Sequence, residues 1–256
     1  LRQAACAGEI EACQRLRYRV FYEELGATAP EDAARSSTDS DRFDAICDHL
    51  LVVQTADQTS PDGISLADGE LVGTYRLLRQ EVAEAHGGFY TQGEFDISPL
   101  IRAHPDLRFL ELGRSCVLAP FRTKPVVELL WQGIWNYVRV HGVHVMMGCA
   151  SLEGTDPDAH ALALSFLAGA APPPEWNVGA LAGHRVEMRR IPAQDIDPRQ
   201  ALKDLPPLIK GYLRLGCYIG DGAVIDHQFN TIDVLIILPV SAINARYFAH
   251  FGNPNG

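Results

Sequence analysis

Apolar residues in the first stretch of the chain recur at the spacing of one helical face. Over residues 9–25, Ile10, Cys13, Leu16, Val20, Phe21 and Leu25 line up on a single side of a 3.6-residue helix, and Gly26 supplies the stop. Arg17 and Glu24 fall inside that apolar face. An unpaired charge on a core stripe is costly, so these two pair with each other, snorkel outward or serve a purpose. Residues 27–45 lose the pattern and read as a loop that is long for a plain connector, the kind that often binds something. It carries Asp39, Asp41 and Asp44 around Phe43, for which a solvated acidic turn is the plain alternative.

Runs rich in Val, Leu and Ile then predict strands at His49–Thr55, Leu71–Leu78, Phe109–Leu118, Val143–Ala150, Arg185–Ile191 and Asp233–Leu238. TSPDG and ADG between the first two read as hairpin turns, and SPLIRA before the third reads as helical. Residues 125–141 give the clearest helix, with Pro125 in the first turn. Its polar residues Glu128, Gln132, Asn136 and Arg139 occupy a narrow sector, which predicts burial on most sides, with Trp131 and Trp135 as core. Asp156 or Asp158 is placed to cap a helix at 159–168 that AAPPPEW ends, and IPAQDIDPRQ reads as loop. PPLIKGYLRLG reads as a short helix between Pro and Gly, and the closing segment supplies one turn and one buried strand. This order predicts an α/β sheet with helices on both faces.

At 256 residues with 47% hydrophobic and 21% charged positions, the chain has the composition of a globular protein with a sizeable core. We read it as a single domain, 1–256, with an insertion at about 151–205. A net charge of −10 argues against nucleic acid as a partner. No apolar run approaches the ~18 residues of a membrane span. Six scattered cysteines without C-x-x-C read as reduced thiols, and no charged-then-apolar leader is visible, so the expected location is cytoplasmic. His141 and His144 lack the companions of a zinc site, so no metal is expected.

No phosphate-binding glycine loop, Rossmann fingerprint or nucleophile elbow is present. What stands out is charge lodged in apolar elements: Arg17, Arg76 in LVGTYRLL, and Glu111 with Arg114 in FLELGRSCVL. Strand alternation sends Glu111 and Arg114 to opposite faces unless a bulge intervenes, with Gly113 its natural place. A structural ion pair is the plain reading of those two.

LRYRVFYEELG, DSDRFD, HLLVV, GTYRLL and ELGRSCV resemble, in order and spacing, the acyl-homoserine-lactone (autoinducer) synthases. RSCVLAPFR, LLWQGIWNYVRVHG, MMGCASLEGTDPD, PPLIKGYLRLG and NTIDVLIILPVSAINARYFAHF resemble the ornithine lipid synthases, over about residues 9–251. The resemblance implies a Gcn5-related N-acyltransferase (GNAT) fold: α/β, a mixed and mostly antiparallel central sheet flanked by helices, its central strands 109–118 and 143–150 splayed. It implies an enzyme that moves a 3-hydroxyacyl chain from acyl carrier protein to the α-amine of ornithine, forming lyso-ornithine lipid. Other acceptors (glutamine, glycine, lysine), homoserine-lactone-type signal synthesis and a non-catalytic acyl-binding module are the rival readings.

Carried over residue by residue, the synthases' pattern falls on Arg17 and Phe21, Asp41 and Asp44, Arg76, and Glu111 and Arg114. The Trp those synthases carry after the first helix has no counterpart here, where Gly26 leads to Ala27 and Thr28. The glycine-rich pyrophosphate turn of coenzyme A users is replaced by Arg122-TKPVV. Phosphopantetheine has one phosphate, which Arg122 and Lys124 suit as point contacts, and no other cofactor is expected. Chemically, Glu111 in its apolar strand is the candidate general base, and an amide at a bulge near Ser115 to Val117 suits the oxyanion. Arg17, Arg76 or Arg114 could hold an acceptor carboxylate, and Asp41 or Asp44 a second ammonium. Arg122, Lys124, Arg139, Lys210 and Arg214 are candidates to dock the acidic carrier, and an amphiphilic product makes peripheral contact with the inner membrane face a further expectation.

Overall fold

The computed structural model describes residues 1–55 and 64–243. The TSPDG turn and the end of the last resembling segment lie outside the described residues. In chain order the elements are β1 (Arg2–Gln3), α1 (Ala7–Tyr18), α2 (Glu31–Ser36), β2 (Asp48–Gln54), β3 (Ile64–Leu66), β4 (Gly69–Arg79), α3 (Gln80–Ala85), α4 (Ser98–Ala103) and β5 (Phe109–Val117). They continue with α5 (Lys124–His141), β6 (Val145–Glu153), α6 (Ala161–Leu167), β7 (Arg185–Val186), α7 (Pro198–Asp204), α8 (Pro207–Leu215), β8 (Tyr218–Asp226) and β9 (Thr231–Pro239). The chain divides into two compact units, Leu1–His86 with Leu112–Gly142, and Gly87–Glu111 with the residues from Val143 onward.

In the first unit β2 pairs antiparallel with β1 and β4, and β3 folds back on β4 through the predicted Ala67–Asp68–Gly69 turn. Alternation along β2 explains its two-sided burial. Leu51 joins Ala12, Cys13, Leu16, Val20 and Leu71 in one cluster under α1, while Leu50 meets α5 at Gly133. A Cβ at Gly133 would come within 3.1 Å of Leu50 and Leu1, so glycine lets α5 sit close on the sheet.

The first helix differs from expectation. Its α-helical part ends at Tyr18, and Arg19–Glu24 form a π-helix in which the Leu25 N–H bonds the Val20 carbonyl at 3.1 Å. The wider turn rotates the following residues, so Tyr22 is buried and Leu25 is exposed, the reverse of the 3.6-residue extrapolation. Helix α2 lies within the stretch read as loop. Helix α5 is less enclosed than predicted: Val127, Leu129 and Val140 are exposed, Val140 at 78%, and of the two tryptophans only Trp135 is buried.

In the second unit β6 and β9 pair antiparallel over nine residues, and β9 is buried on both faces, as a central strand must be. β8 pairs with β9, and β7 with β8. A parallel ladder of three pairs joins Phe109–Glu111 to Val145–Met147, within strands of nine residues each. β8 was not foreseen: Gly220 and Gly222 break its alternation, and the register shifts between Ile219 and Ala223. The predicted strand at Arg185–Ile191 pairs only over its first two residues. Helix α6 begins after His160 without a side-chain cap, because Asp156 turns onto the N–H of Asp158 instead. Helix α7 replaces part of a predicted loop, with the Asp197 carboxylate accepting from the N–H of Arg199 and Gln200.

Candidate active site

The first unit gathers three arginines and three aspartates. Arg17, the largest fully buried side chain, donates Nε–H to Asp39 Oδ2 at 2.8 Å and Nη2–H to Asp44 Oδ2 at 2.8 Å. Glu24, its expected companion on the helix face, instead pairs with Arg122 at the surface. Snorkelling and a local pair are therefore both replaced by long-range contacts from the acidic segment, which is no solvated turn: Asp39 and Asp44 are buried. Tyr22 donates its hydroxyl to Asp39 at 3.2 Å, a contact the π-helix turn makes available, and Gln14 donates to Asp44 at 3.0 Å.

Arg76, on β4, donates to Asp41 Oδ1 at 2.7 Å and to Asp44 Oδ1 at 3.1 Å, and its guanidinium lies 5.7 Å from the centre of the Phe43 ring. Arg114, on β5, places Nη2 3.3 Å from Asp41 Oδ2 and Nε 3.3 Å from Asp39 Oδ2. Burial pushes the Asp44 carboxyl up, but the Arg17 and Arg76 guanidiniums overcome it and hold it at about 2. His49 lies beside this cluster, Nε2 3.1 Å from the Asp44 carbonyl oxygen, and burial pushes its imidazole pKa down. Solvent access is graded: Arg17, Asp39, Asp44 and Arg76 are buried, whereas the Arg114 and Asp41 side chains are 12% and 24% exposed.

Arg114 has φ +52, a departure from extended backbone one residue beyond Gly113. A non-glycine residue in this region carries strain of order 1–3 kcal/mol, which the ion pairs to Asp39 and Asp41 offset. Ser115 is half-buried just beyond, and Val117 is buried with its carbonyl accepting from Arg122 Nε at 2.9 Å. Arg122 thus ties the end of β5 to Glu24 of the π-helix. Lys124 stands out in solvent, 3.4 Å from Glu128, and Phe21 packs half-buried against the α1 cluster.

The second unit holds Glu111. Its buried carboxylate accepts from the Tyr90 N–H at 2.9 Å on Oε2, and on Oε1 from the Thr91 N–H at 2.7 Å and from the Thr91 hydroxyl. Three donors from one short turn, Tyr90–Gly93, fix the orientation of the carboxylate. Tyr90 and Thr91 carried no signal in the sequence, because their role depends on a contact twenty residues away. Cys149 donates Sγ–H to Glu94 at 3.2 Å, and burial pushes its thiol up. Among the described residues, the grouping that could hold a metal is Glu94, Asp226 and Asp233, with ligand atoms within 4.8 Å of one another. All three are carboxylates, and such groups are common without an ion. His144, read earlier beside His141, accepts from the Arg108 N–H at 3.0 Å. No helix of the described residues is long and apolar enough to cross a membrane.

A family model for the acetyltransferase (GNAT) domain matches residues 16–132. Among solved structures, FeeM, an N-acyl amino acid synthase from uncultured soil microbes, superposes with a TM-score of 0.52 at 12% identity, covering 96% of each chain. TofI, in a ternary complex with an inhibitor and MTA, gives 0.50 at 14%, covering 98% of this chain and 96% of that one. At these identities the likeness speaks for the fold, the mixed sheet with flanking helices described above. Sequence relatives are much nearer. The L-ornithine N(alpha)-acyltransferase of Agrobacterium fabrum is 52% identical over 95% of this chain and 82% of its own length. That of Rhizobium meliloti is 51% identical over 100% and 84%, and that of Rhodobacter capsulatus 38% over 96% and 92%. The chain is an N-acyltransferase and belongs to the L-ornithine N(alpha)-acyltransferase family.

Proposed function

We propose that the protein transfers a 3-hydroxyacyl group from acyl carrier protein to the α-amino group of ornithine, yielding lyso-ornithine lipid. The observation that carries the acceptor is identity of about half over nearly the whole chain with proteins named for that reaction. The charge cluster supports it. Ornithine presents a carboxylate, a nucleophilic α-amine and a second ammonium, and Arg114 and Asp41 are the accessible cation and anion of the cluster. Arg17, Asp39, Asp44 and Arg76 hold those two in place from the buried side.

Glu111 acts as general base. An α-ammonium is not nucleophilic until it loses a proton, which Glu111 accepts directly or through a water. The amine nitrogen then bonds to the thioester carbonyl carbon, and a backbone N–H near Ser115 to Val117 stabilises the oxyanion. Collapse breaks the C–S bond, and the departing phosphopantetheine thiolate takes the second nitrogen proton, leaving the amide. The Arg122-TKPVV segment in place of a glycine-rich turn supports a carrier-protein donor over coenzyme A.

The test is amide formation by purified protein with 3-hydroxyacyl carrier protein and each common amino acid, read by product mass. Acyl-ornithine, lost in Glu111→Ala while the variant stays folded, is the expected result. Product from another amino acid alone overturns the acceptor, and equal turnover with a 3-hydroxyacyl coenzyme A thioester overturns the donor.

A further inference from the structure

One buried titratable group of the first unit has no part in the chemistry described above. His49 is the second residue of β2 and is 1% exposed. Strand alternation sends it to the same face as Leu51, toward α1, and the ladder sets it directly opposite Arg76 of β4. Both side chains reach the Asp41–Asp44 turn from that face, and they hold it differently. Arg76 takes the carboxylates of Asp41 and Asp44, whereas His49 Nε2 lies 3.1 Å from the main-chain oxygen of Asp44.

A carbonyl oxygen only accepts, so Nε2 carries the proton of this bond. Nδ1 is buried and has no hydrogen-bond partner among the described residues. A second proton there would make an N–H without an acceptor, on a cation that faces Arg17 from α1 and Arg76 from β4 with the Asp44 carboxylate opposing them. Burial first, and then the two guanidiniums, disfavour that form. The ring is thus a neutral donor of fixed direction. Lysine or arginine at this position would also donate, but each would set a like charge opposite Arg76.

What this donor holds is a closed turn. The Asp41 N–H donates to Asp44 Oδ2 at 3.1 Å, the Asp44 N–H to the Asp41 carbonyl at 3.2 Å, and the Phe43 N–H to Asp41 Oδ1 at 2.8 Å. A rotation of the Asp44 peptide is therefore passed to the Asp41 carboxylate, the more exposed acid of the cluster. We propose that His49 is a positioning residue for the acceptor: by donating to the Asp44 carbonyl it sets the orientation in which Asp41 meets the acceptor's second ammonium. The inference rests on the proposed function for that role of Asp41. A purely space-filling role does not account for a ring nitrogen buried without a partner, which costs stability that an apolar side chain would keep.

Two variants separate the donor from the volume. His49→Gln offers an amide N–H near the place of Nε2, and His49→Leu fills the space without donating. His49→Leu should raise the KM for ornithine roughly three- to tenfold, the worth of one hydrogen bond, with kcat and the KM for acyl carrier protein changed less than twofold. His49→Gln should bring the ornithine KM back to within twofold of the parent. In protein labelled at histidine with heavy nitrogen, long-range nitrogen–proton NMR at pH 7 should show the ring signal that His49→Gln lacks as a neutral imidazole protonated on Nε2. An imidazolium or an Nδ1–H tautomer overturns the proposal without recourse to the leucine variant. So does a kcat that falls as far as kcat/KM, or an equal ornithine KM in the two variants. An unchanged ornithine KM in His49→Leu beside a raised one in Asp41→Asn overturns this inference alone, and an unchanged KM in both overturns the acceptor reading with it.

Discussion

Arg17→Met removes the guanidinium that joins Asp39 to Asp44 while keeping much of the side-chain volume against α1. Two carboxylates are then left buried, with Arg76 and Arg114 as their remaining cations. Breaking a buried pair from one side costs about 3–5 kcal/mol, a large part of the 5–15 kcal/mol that is typical of a folded chain. At roughly 2–4 °C per kcal/mol for chains of this size, the thermal midpoint should fall by ~10 °C at pH 7. The pH dependence gives a sharper check. The Asp44 carboxyl lies at about 2 in the folded protein against 3.8 when unperturbed, a difference worth roughly 2.5 kcal/mol. Because the folded value is the lower one, that stability is fully present above the unfolded value and is lost as pH falls from about 4 toward 2. In Arg17→Met much of the depression disappears, so the gap between variant and parent should be widest above pH 4 and narrow on acidification. Thermal melts followed by circular dichroism from pH 7 to 2.5 measure it. A shift below 2 °C, or a gap that stays constant across that range, refutes the view that Arg17 is held by charge and not by packing.

Thr91→Val keeps both backbone donors to Glu111 and deletes the hydroxyl one; steady-state kinetics should show kcat down roughly tenfold with KM little changed, and Thr91→Ser should restore it. Arg114→Gln and Asp41→Asn each remove an accessible charge, and titration of both substrates should find the KM for ornithine raised by tenfold or more while that for acyl carrier protein moves less than threefold. Brief treatment of native protein with iodoacetamide, read by mass spectrometry, should label Cys6, the exposed cysteine, and spare Cys13, Cys116 and Cys217, whose buried thiols have raised pKa values; labelling of Cys116 ahead of Cys6 would contradict the packing described.

What the sequence disclosed of the site was the anomaly and not its resolution. Arg17 on an apolar helix face, Glu111 in an apolar strand and aspartates two and three apart in an otherwise polar segment all stood against their surroundings, and each sits in one of the two clusters. The partners of Arg17 stayed open in the sequence because helical periodicity reports only neighbours within a few turns, whereas Asp39 and Asp44 arrive from 22 and 27 residues away. Thr91 and Tyr90 were invisible for the same reason. Strand β8 was missed because YIGDGAVID puts two glycines where alternation is judged, and those glycines serve the register shift. Helix α7 was legible and overlooked, since Asp197 followed by Pro198 is the ordinary start of a helix.

The π-helical turn at Arg19–Glu24 fits one more residue into the span than a regular helix would. A deletion of one residue there is therefore a specific kind of lesion. It would let α1 run on in regular form, a local gain in backbone geometry, and it would carry the Tyr22 hydroxyl away from Asp39 and Glu24 away from Arg122. Losing the extra residue would make a better helix and a worse site. Length variation among descendants of this chain should accordingly gather in the loops and avoid those six positions, even though no side chain among them performs the proposed chemistry.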